Sequence, residues 1–358
     1  MNDSSSADSR SLVVFIATPL EPEHVATIGS LAPDRLEVVY DAELLPPLRY
    51  TADHKGIDGF ARTSEQEDRW LTHLARAHIL WDFPSIAADG SEGLAHAPDV
   101  RWIQTTSAGV GQRVKALGLV DSDVLITTAS GVHAGPLAEF TFLTLLSHAK
   151  RQDHMRAEQA AHHWERFCGD ELEGKTLAVI GVGSVGRRVA AVGRAFGMRV
   201  VALASPGSER TADEIGVDEL FASDRMHDML GETDALVLAI PHTPDTEGLI
   251  GREAFEALKP GAVLVNVARG QVVDEAALID ALRSGQVAFA GLDVFAVEPL
   301  PSGSPLWDMP NVIVSAHSSS TVASENRKIT EIFCHNLRCY LDGRVEDMQN
   351  VLDKTRLY

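Results

Sequence analysis

A cation, a carboxylate and an imidazole occur in fixed order in the second half of this chain: Arg269, Glu298 and His317. Arginine keeps its proton at all ordinary pH values, and its planar fork grips a carboxylate at two points. An imidazole gives and takes protons near neutrality, and a carboxylate partner fixes which ring nitrogen carries the proton. The three together could bind an anionic carbonyl compound and exchange a proton with its oxygen. Reducing that carbonyl also needs a hydride. Upstream, Gly181-Val182-Gly183-Ser184-Val185-Gly186 has the glycine spacing of a turn that receives a dinucleotide.

Such a glycine segment has meaning only between a strand and a helix. Thr176, Leu177, Ala178, Val179 and Ile180 precede it as a short apolar run of the kind found in buried parallel strands. Val185, Val189, Val192 and Phe196 follow at helical spacing, and Gly197 ends the pattern. The first glycine permits the tight turn, the second lets backbone approach a pyrophosphate, and the third lets helix pack on strand. Unpaired N–H groups at the helix start favour the phosphates.

Further apolar runs deliver the three polar residues. Ala262 to Val267 ends at Arg269, Phe289 to Val294 leads to Glu298, and Val312 to Val314 leads to His317. Arg199 to Leu203 and Ala235 to Ile240 supply two more strands of the same unit. Residues just past the carboxyl ends of parallel strands lie where ligands bind in open α/β sheets. Asp274 opens the run Glu275 to Leu282 and reads as a helix N-cap rather than a catalyst.

The first part of the chain repeats the alternation. Strands are expected at Leu12 to Ala17, Leu36 to Tyr40, Ile79 to Phe83, Trp102 to Gln104 and Val124 to Thr127. A helix is expected over Glu65 to Ala77, with Trp70, Leu71 and Leu74 inward. Leu44 to Arg62 has Pro46-Pro47 and little period, and reads as a long surface excursion. Leu137 to Ala149 is too apolar for a surface helix and long enough to lie between domains or subunits.

With 358 residues, two domains are expected, and 45% apolar content fills both cores. Met1 to Arg10 is polar and reads as a disordered tail without the apolar core of a signal peptide. The net charge of −20 argues against nucleic acid and anionic membranes as partners, and requires a local cation for an anionic substrate. Cys168, Cys334 and Cys339 have neither zinc nor disulfide spacing, which points to a reducing cytoplasm. The adjacent His162 and His163 cannot share a helix face and read as an exposed pair, so no metal is expected.

These motifs resemble the D-isomer-specific 2-hydroxyacid dehydrogenases, in the branch related to glyoxylate/hydroxypyruvate reductases. The resemblance covers nearly the whole chain. It rests on Gly181 to Gly186, Val267-Ala268-Arg269-Gly270 with Val273-Asp274-Glu275, Gly291-Leu292-Asp293-Val294-Phe295 with Glu298-Pro299, and Val314-Ser315-Ala316-His317. It implies an α/β fold of two doubly wound parallel-sheet domains, with a Rossmann-type cofactor domain (133–318) inserted into a flavodoxin-like substrate domain (11–132 and 319–358). It implies a homodimer joined mainly through the cofactor domains.

Carried onto this sequence, the resemblance implies NAD(P)H-dependent reduction of a small 2-ketoacid to the D-2-hydroxyacid. His317 would be the general acid, Glu298 its partner, and Arg269 the carboxylate clamp. Ser107, Ala108 and Gly109 would offer backbone N–H groups to that carboxylate. Gly181, Gly183, Ser184, Val185 and Gly186 would hold the cofactor, bordered by Pro241, Thr246 and Val267, with Asp293 on the nicotinamide carboxamide. His242 faces either cofactor or solvent. At the end of the second strand, where an NAD site carries an acid, this chain has Ala204, followed by Ser205 and, further on, Arg210. NADP is therefore expected to be preferred over NAD. Two departures stand out: Ala316 replaces a proline common before the histidine, and Gly111 replaces a frequent aspartate. A nicotinamide-sensing binding protein of the same fold is the alternative function, although such a sensor need not keep Arg269, Glu298 and His317 together.

Overall fold

The computed structural model describes residues 11–357, so the tail expected over 1–10 lies outside the described residues. The chain divides into two compact units. One takes the chain up to Val132 and again from Val322, and the other is His133–Thr321.

The first unit is a five-stranded parallel sheet of β1 (Leu12–Ile16), β2 (Leu36–Val39), β3 (Ile79–Trp81), β4 (Trp102–Gln104) and β5 (Leu125–Thr127). Its order, β2-β1-β3-β4-β5, is flavodoxin-like. The helix Ser64–Arg76 starts on a capping box in which Thr63 and Gln66 satisfy each other's backbone N–H groups. Trp70 and Leu74 are fully buried and Leu71 is half-buried. The long helix Glu325–Leu341, not foreseen from the sequence, returns from the chain's end to this sheet. Its Ile329, Phe333 and Leu337 form a fully buried stripe at four-residue spacing, and Phe333 meets Trp81 at 5.4 Å and Trp102 at 5.0 Å. The excursion after β2 is only partly a surface feature. Asp53 within it is buried, because its carboxylate accepts Nε and Nη2 of Arg49 at 2.8 and 2.9 Å and the amides of Arg49 and Lys55 at 3.1 Å.

The second unit is a seven-stranded parallel sheet. Its strands are β6 (Thr176–Ile180), β7 (Arg199–Leu203), β8 (Glu219–Phe221), β9 (Ala235–Leu238), β10 (Ala262–Asn266), β11 (Val287–Leu292) and β12 (Val312–Val314). The order β12-β11-β10-β9-β6-β7-β8 reverses direction of growth between β6 and β9, the switch point of a Rossmann-type sheet. All of β6 is buried, as a strand covered on both faces must be. The sequence gives no sign of β8, which is three residues long and opens on a half-exposed glutamate. The apolar helix Ala134–Ala149 packs within this unit. Phe142 stacks on Phe196 at 5.2 Å, and Thr144 fills the space above Gly291, where an added Cβ would lie 2.1 Å from the Thr144 hydroxyl. Its apolar character is thus largely explained by its own unit, with Leu143 left 50% exposed.

Candidate active site

The glycine turn follows β6 as its spacing requires. Gly181 has φ +103°, and a Cβ there would lie 2.4 Å from the Ala239 carbonyl oxygen at the end of β9. A Cβ on Gly186 would lie 1.9 Å from the Gly181 carbonyl oxygen, so the helix Ser184–Ala195 starts hard against the turn. Gly183 is different: a Cβ there would meet nothing within 4 Å. It is the exposed N-cap of that helix and has no side-chain cap bond. Two glycines are demanded by the protein itself, while the third keeps space open above free N–H groups. That combination fits a pyrophosphate.

The loops after β9 and β7 follow the two strands that flank β6. After β9, the Thr246 hydroxyl donates to the Pro241 carbonyl at 2.8 Å and accepts the Thr243 amide at 2.8 Å. His242 is half-exposed, with Nε2 3.7 Å from the Glu247 carboxylate. After β7, Ala204 donates its amide to Phe221 at 2.8 Å. The exposed segment beyond it turns back at Gly207 (φ +72°), where the Ser208 amide bonds the Ser205 carbonyl at 3.0 Å. The Arg210 amide reaches the Ser208 hydroxyl at 3.3 Å. Among the described residues, the side chains of Ser205 and Arg210 have no hydrogen-bond or salt-bridge partner.

Arg269, Glu298 and His317 follow three adjacent strands, β10, β11 and β12. Nδ1 of His317 is 2.8 Å from Oε2 of Glu298, and Oε1 of the same carboxylate accepts the Phe295 amide at 3.0 Å. The backbone thus holds the carboxylate, and the carboxylate orients the ring. Both side chains remain exposed to solvent or ligand. Arg269 is half-buried, and its Nη1 donates to the Ala268 carbonyl at 2.7 Å. Among the described residues it pairs with no carboxylate, so an anion could occupy the guanidinium. Its turn is braced by buried Asn266, which accepts the Ala268 amide at 3.0 Å and donates to the Arg269 carbonyl at 3.2 Å. Val267 is buried beside it. Asp274 caps the helix Glu275–Ser284 by accepting the Ala277 amide at 3.0 Å, as expected for a structural residue.

Two features escape sequence reading. Oδ1 of Asp293 accepts the Ser315 hydroxyl at 2.7 Å and the amides of Ser318 and Ser319 at 3.0 and 2.9 Å. Nor does the sequence show that Nδ1 of His163, exposed like His162 as expected, is hydrogen-bonded to Glu158.

In the first unit, Ser107, Ala108 and Gly109 are exposed after β4, and their N–H groups have no acceptor among the described residues. A buried network fixes the base of this loop. The Trp102 indole donates to the Thr127 hydroxyl at 2.8 Å, and that hydroxyl donates to Gln104 at 2.7 Å. The Thr105 hydroxyl then bonds the Ser107 carbonyl at 2.7 Å. Gly111 also has a reason: a Cβ would lie 2.2 Å from the Leu357 carbonyl oxygen, so no side chain fits.

Residues 142–319 match the family model of the D-isomer specific 2-hydroxyacid dehydrogenase NAD binding domain. The chain belongs to the D-isomer specific 2-hydroxyacid dehydrogenase family. It is 33% identical to the glyoxylate reductase of Aeropyrum pernix, over 70% of this chain and 76% of that protein. It is 36% identical to the D-3-phosphoglycerate dehydrogenase of Mycobacterium leprae over 95% of this chain, but spans only 59% of that relative's length. In structure it is similar to an NADPH-dependent glyoxylate/hydroxypyruvate reductase from Sinorhizobium meliloti, solved with NADP and sulfate. That likeness has a TM-score of 0.73 at 25% identity, over 97% of this chain and all of the other.

Proposed function

We propose that the protein reduces small 2-ketoacids to D-2-hydroxyacids with a nicotinamide cofactor, preferring NADPH. The observation that carries this reading is the His317–Glu298 pair at 2.8 Å, one strand connection away from an arginine with no carboxylate partner among the described residues. When bound, the cofactor supplies the hydride. Glu298 accepts from Nδ1 of His317, so Nε2 is the ring atom left to donate a proton to the carbonyl oxygen. Arg269 binds the substrate carboxylate and polarises the carbonyl. The free N–H groups of Ser107, Ala108 and Gly109 are assigned to a carboxylate as well.

Gly181, Gly183, Ser184, Val185 and Gly186 hold the pyrophosphate, and Pro241, Thr246 and Val267 border the cofactor. Oδ2 of Asp293, which has no partner among the described residues, is assigned to the carboxamide. The preference for NADPH is supported by Ala204, which offers no negative charge at the end of β7, and by Ser205 and Arg210, whose side chains make no hydrogen bond or salt bridge among the described residues. A homodimer through the second unit is supported by its uncovered apolar residues, Leu143, Met155, Phe167 and Trp164, the last 94% exposed. We assign the protein to the cytoplasm on its free cysteines. Among the described residues, no helix is long and apolar enough to cross a membrane.

The test is oxidation of NADPH and NADH by glyoxylate, hydroxypyruvate and pyruvate, with chiral analysis of the chiral products. Turnover with a D-product supports the reading. Tight cofactor binding without turnover of any 2-ketoacid would favour the sensing protein instead.

A further inference from the structure

His317 occupies an exposed stretch, Ala316-His317-Ser318, directly after β12. Its φ is +52°, in the left-handed region where a side chain is strained. Strain of this kind persists only when the surroundings over-determine it. Proline is absent from this stretch, since Ala316 precedes the histidine. The restraint comes from the residue directly after β11. Asp293, 2% exposed, accepts the His317 amide on its carbonyl oxygen at 2.9 Å. Its Oδ1 collects the Ser315 hydroxyl from before the histidine and the Ser318 and Ser319 amides from after it, all between 2.7 and 3.0 Å. Hydrogen bonds to an ionised acceptor are among the strongest a protein makes.

We propose that Asp293 is the positioning residue for His317: one buried carboxylate oxygen pins the loop on both sides of the imidazole and so holds the ring against Glu298. This role uses Oδ1 and is separate from the cofactor contact assigned to Oδ2. Ser315 is its side-chain partner and belongs to the same device. The inference rests on the reading of His317 as the general acid. Misplacing a reacting group by about 1 Å can cost roughly 10²-fold in rate.

The experiment compares wild type, Asp293→Asn and Ser315→Ala. For each it measures kcat for a 2-ketoacid at saturating cofactor, NADPH affinity without substrate, and amide hydrogen exchange over residues 315–319. Asp293→Asn keeps the shape and loses the charge; it should lower kcat by roughly 10²-fold and speed exchange at Ser318 and Ser319 roughly tenfold. Ser315→Ala removes a single bond; it should lower kcat roughly 2–10-fold with NADPH affinity within about twofold of wild type. If Asp293→Asn weakens cofactor binding alone, with kcat at saturation and exchange unchanged, the residue is a cofactor ligand only and the proposal is overturned. If wild type turns over no 2-ketoacid, the functional reading fails, and the exchange measurement still decides whether Asp293 anchors the loop.

Discussion

One carboxylate links the histidine to the backbone of a neighbouring strand connection: Glu298 meets Nδ1 of His317 at 2.8 Å through Oε2 and the Phe295 amide at 3.0 Å through Oε1. Replacing Glu298 with glutamine forces a choice. Either the amide nitrogen faces Nδ1 and imposes the wrong tautomer, or the side chain flips and loses the Phe295 contact. Glu298→Gln should therefore lower kcat for reduction by roughly 10²-fold, within the range general acid catalysis supplies, while NADPH affinity stays near wild type. Steady-state kinetics with a parallel cofactor titration checks both halves.

The strands that deliver these residues were largely legible in the sequence, because buried parallel strands write themselves as apolar runs. Of the three that lead to Arg269, Glu298 and His317, Val312–Val314 matches β12 end to end, Ala262 to Val267 runs one residue past β10, and Phe289 to Val294 lies two residues late against β11 (Val287–Leu292). The helix Glu325–Leu341 is hard to see in the sequence because its first turn, Glu325-Asn326-Arg327-Lys328, is polar and masks the stripe of Ile329, Phe333 and Leu337. The anchoring of the histidine loop was illegible for another reason. Its bonds join Asp293 to residues 22, 25 and 26 positions away, and local sequence carries no record of such pairings.

Arg269 should not tolerate lysine. Lysine keeps the charge but presents a point donor in place of a fork. Arg269→Lys is expected to raise KM for 2-ketoacids at least roughly tenfold and to lower kcat, and a ketone without a carboxylate should be a poor substrate of the parent. Efficient turnover of such a ketone would assign Arg269 another task.

The 2′-phosphate reading turns on one small side chain. Ala204→Asp puts a negative charge at the end of β7 and should shift the kcat/KM ratio of NADPH to NADH by at least roughly tenfold toward NADH. An unchanged ratio would show that the ribose binds elsewhere.

Stability should carry a pH signature at Asp53. The Arg49 guanidinium and backbone amides hold its carboxyl well below the usual carboxylate range. A depressed folded value gives stability that is fully present above the unfolded value of about 3.9 and is lost as pH falls further. Asp53→Asn should lower the urea midpoint at neutral pH, and the gap to wild type should narrow as pH drops below about 4. A gap independent of pH would mean that packing, not charge, accounts for the residue.

The central claim is that His317 donates the proton in a reduction. The most direct measurement is kcat for a 2-ketoacid with saturating NADPH in wild type and His317→Asn, alongside NADPH affinity. The predicted result is a loss of roughly 10²–10⁴-fold in kcat with affinity nearly unchanged. A loss smaller than about tenfold would contradict the account and give the proton to another group.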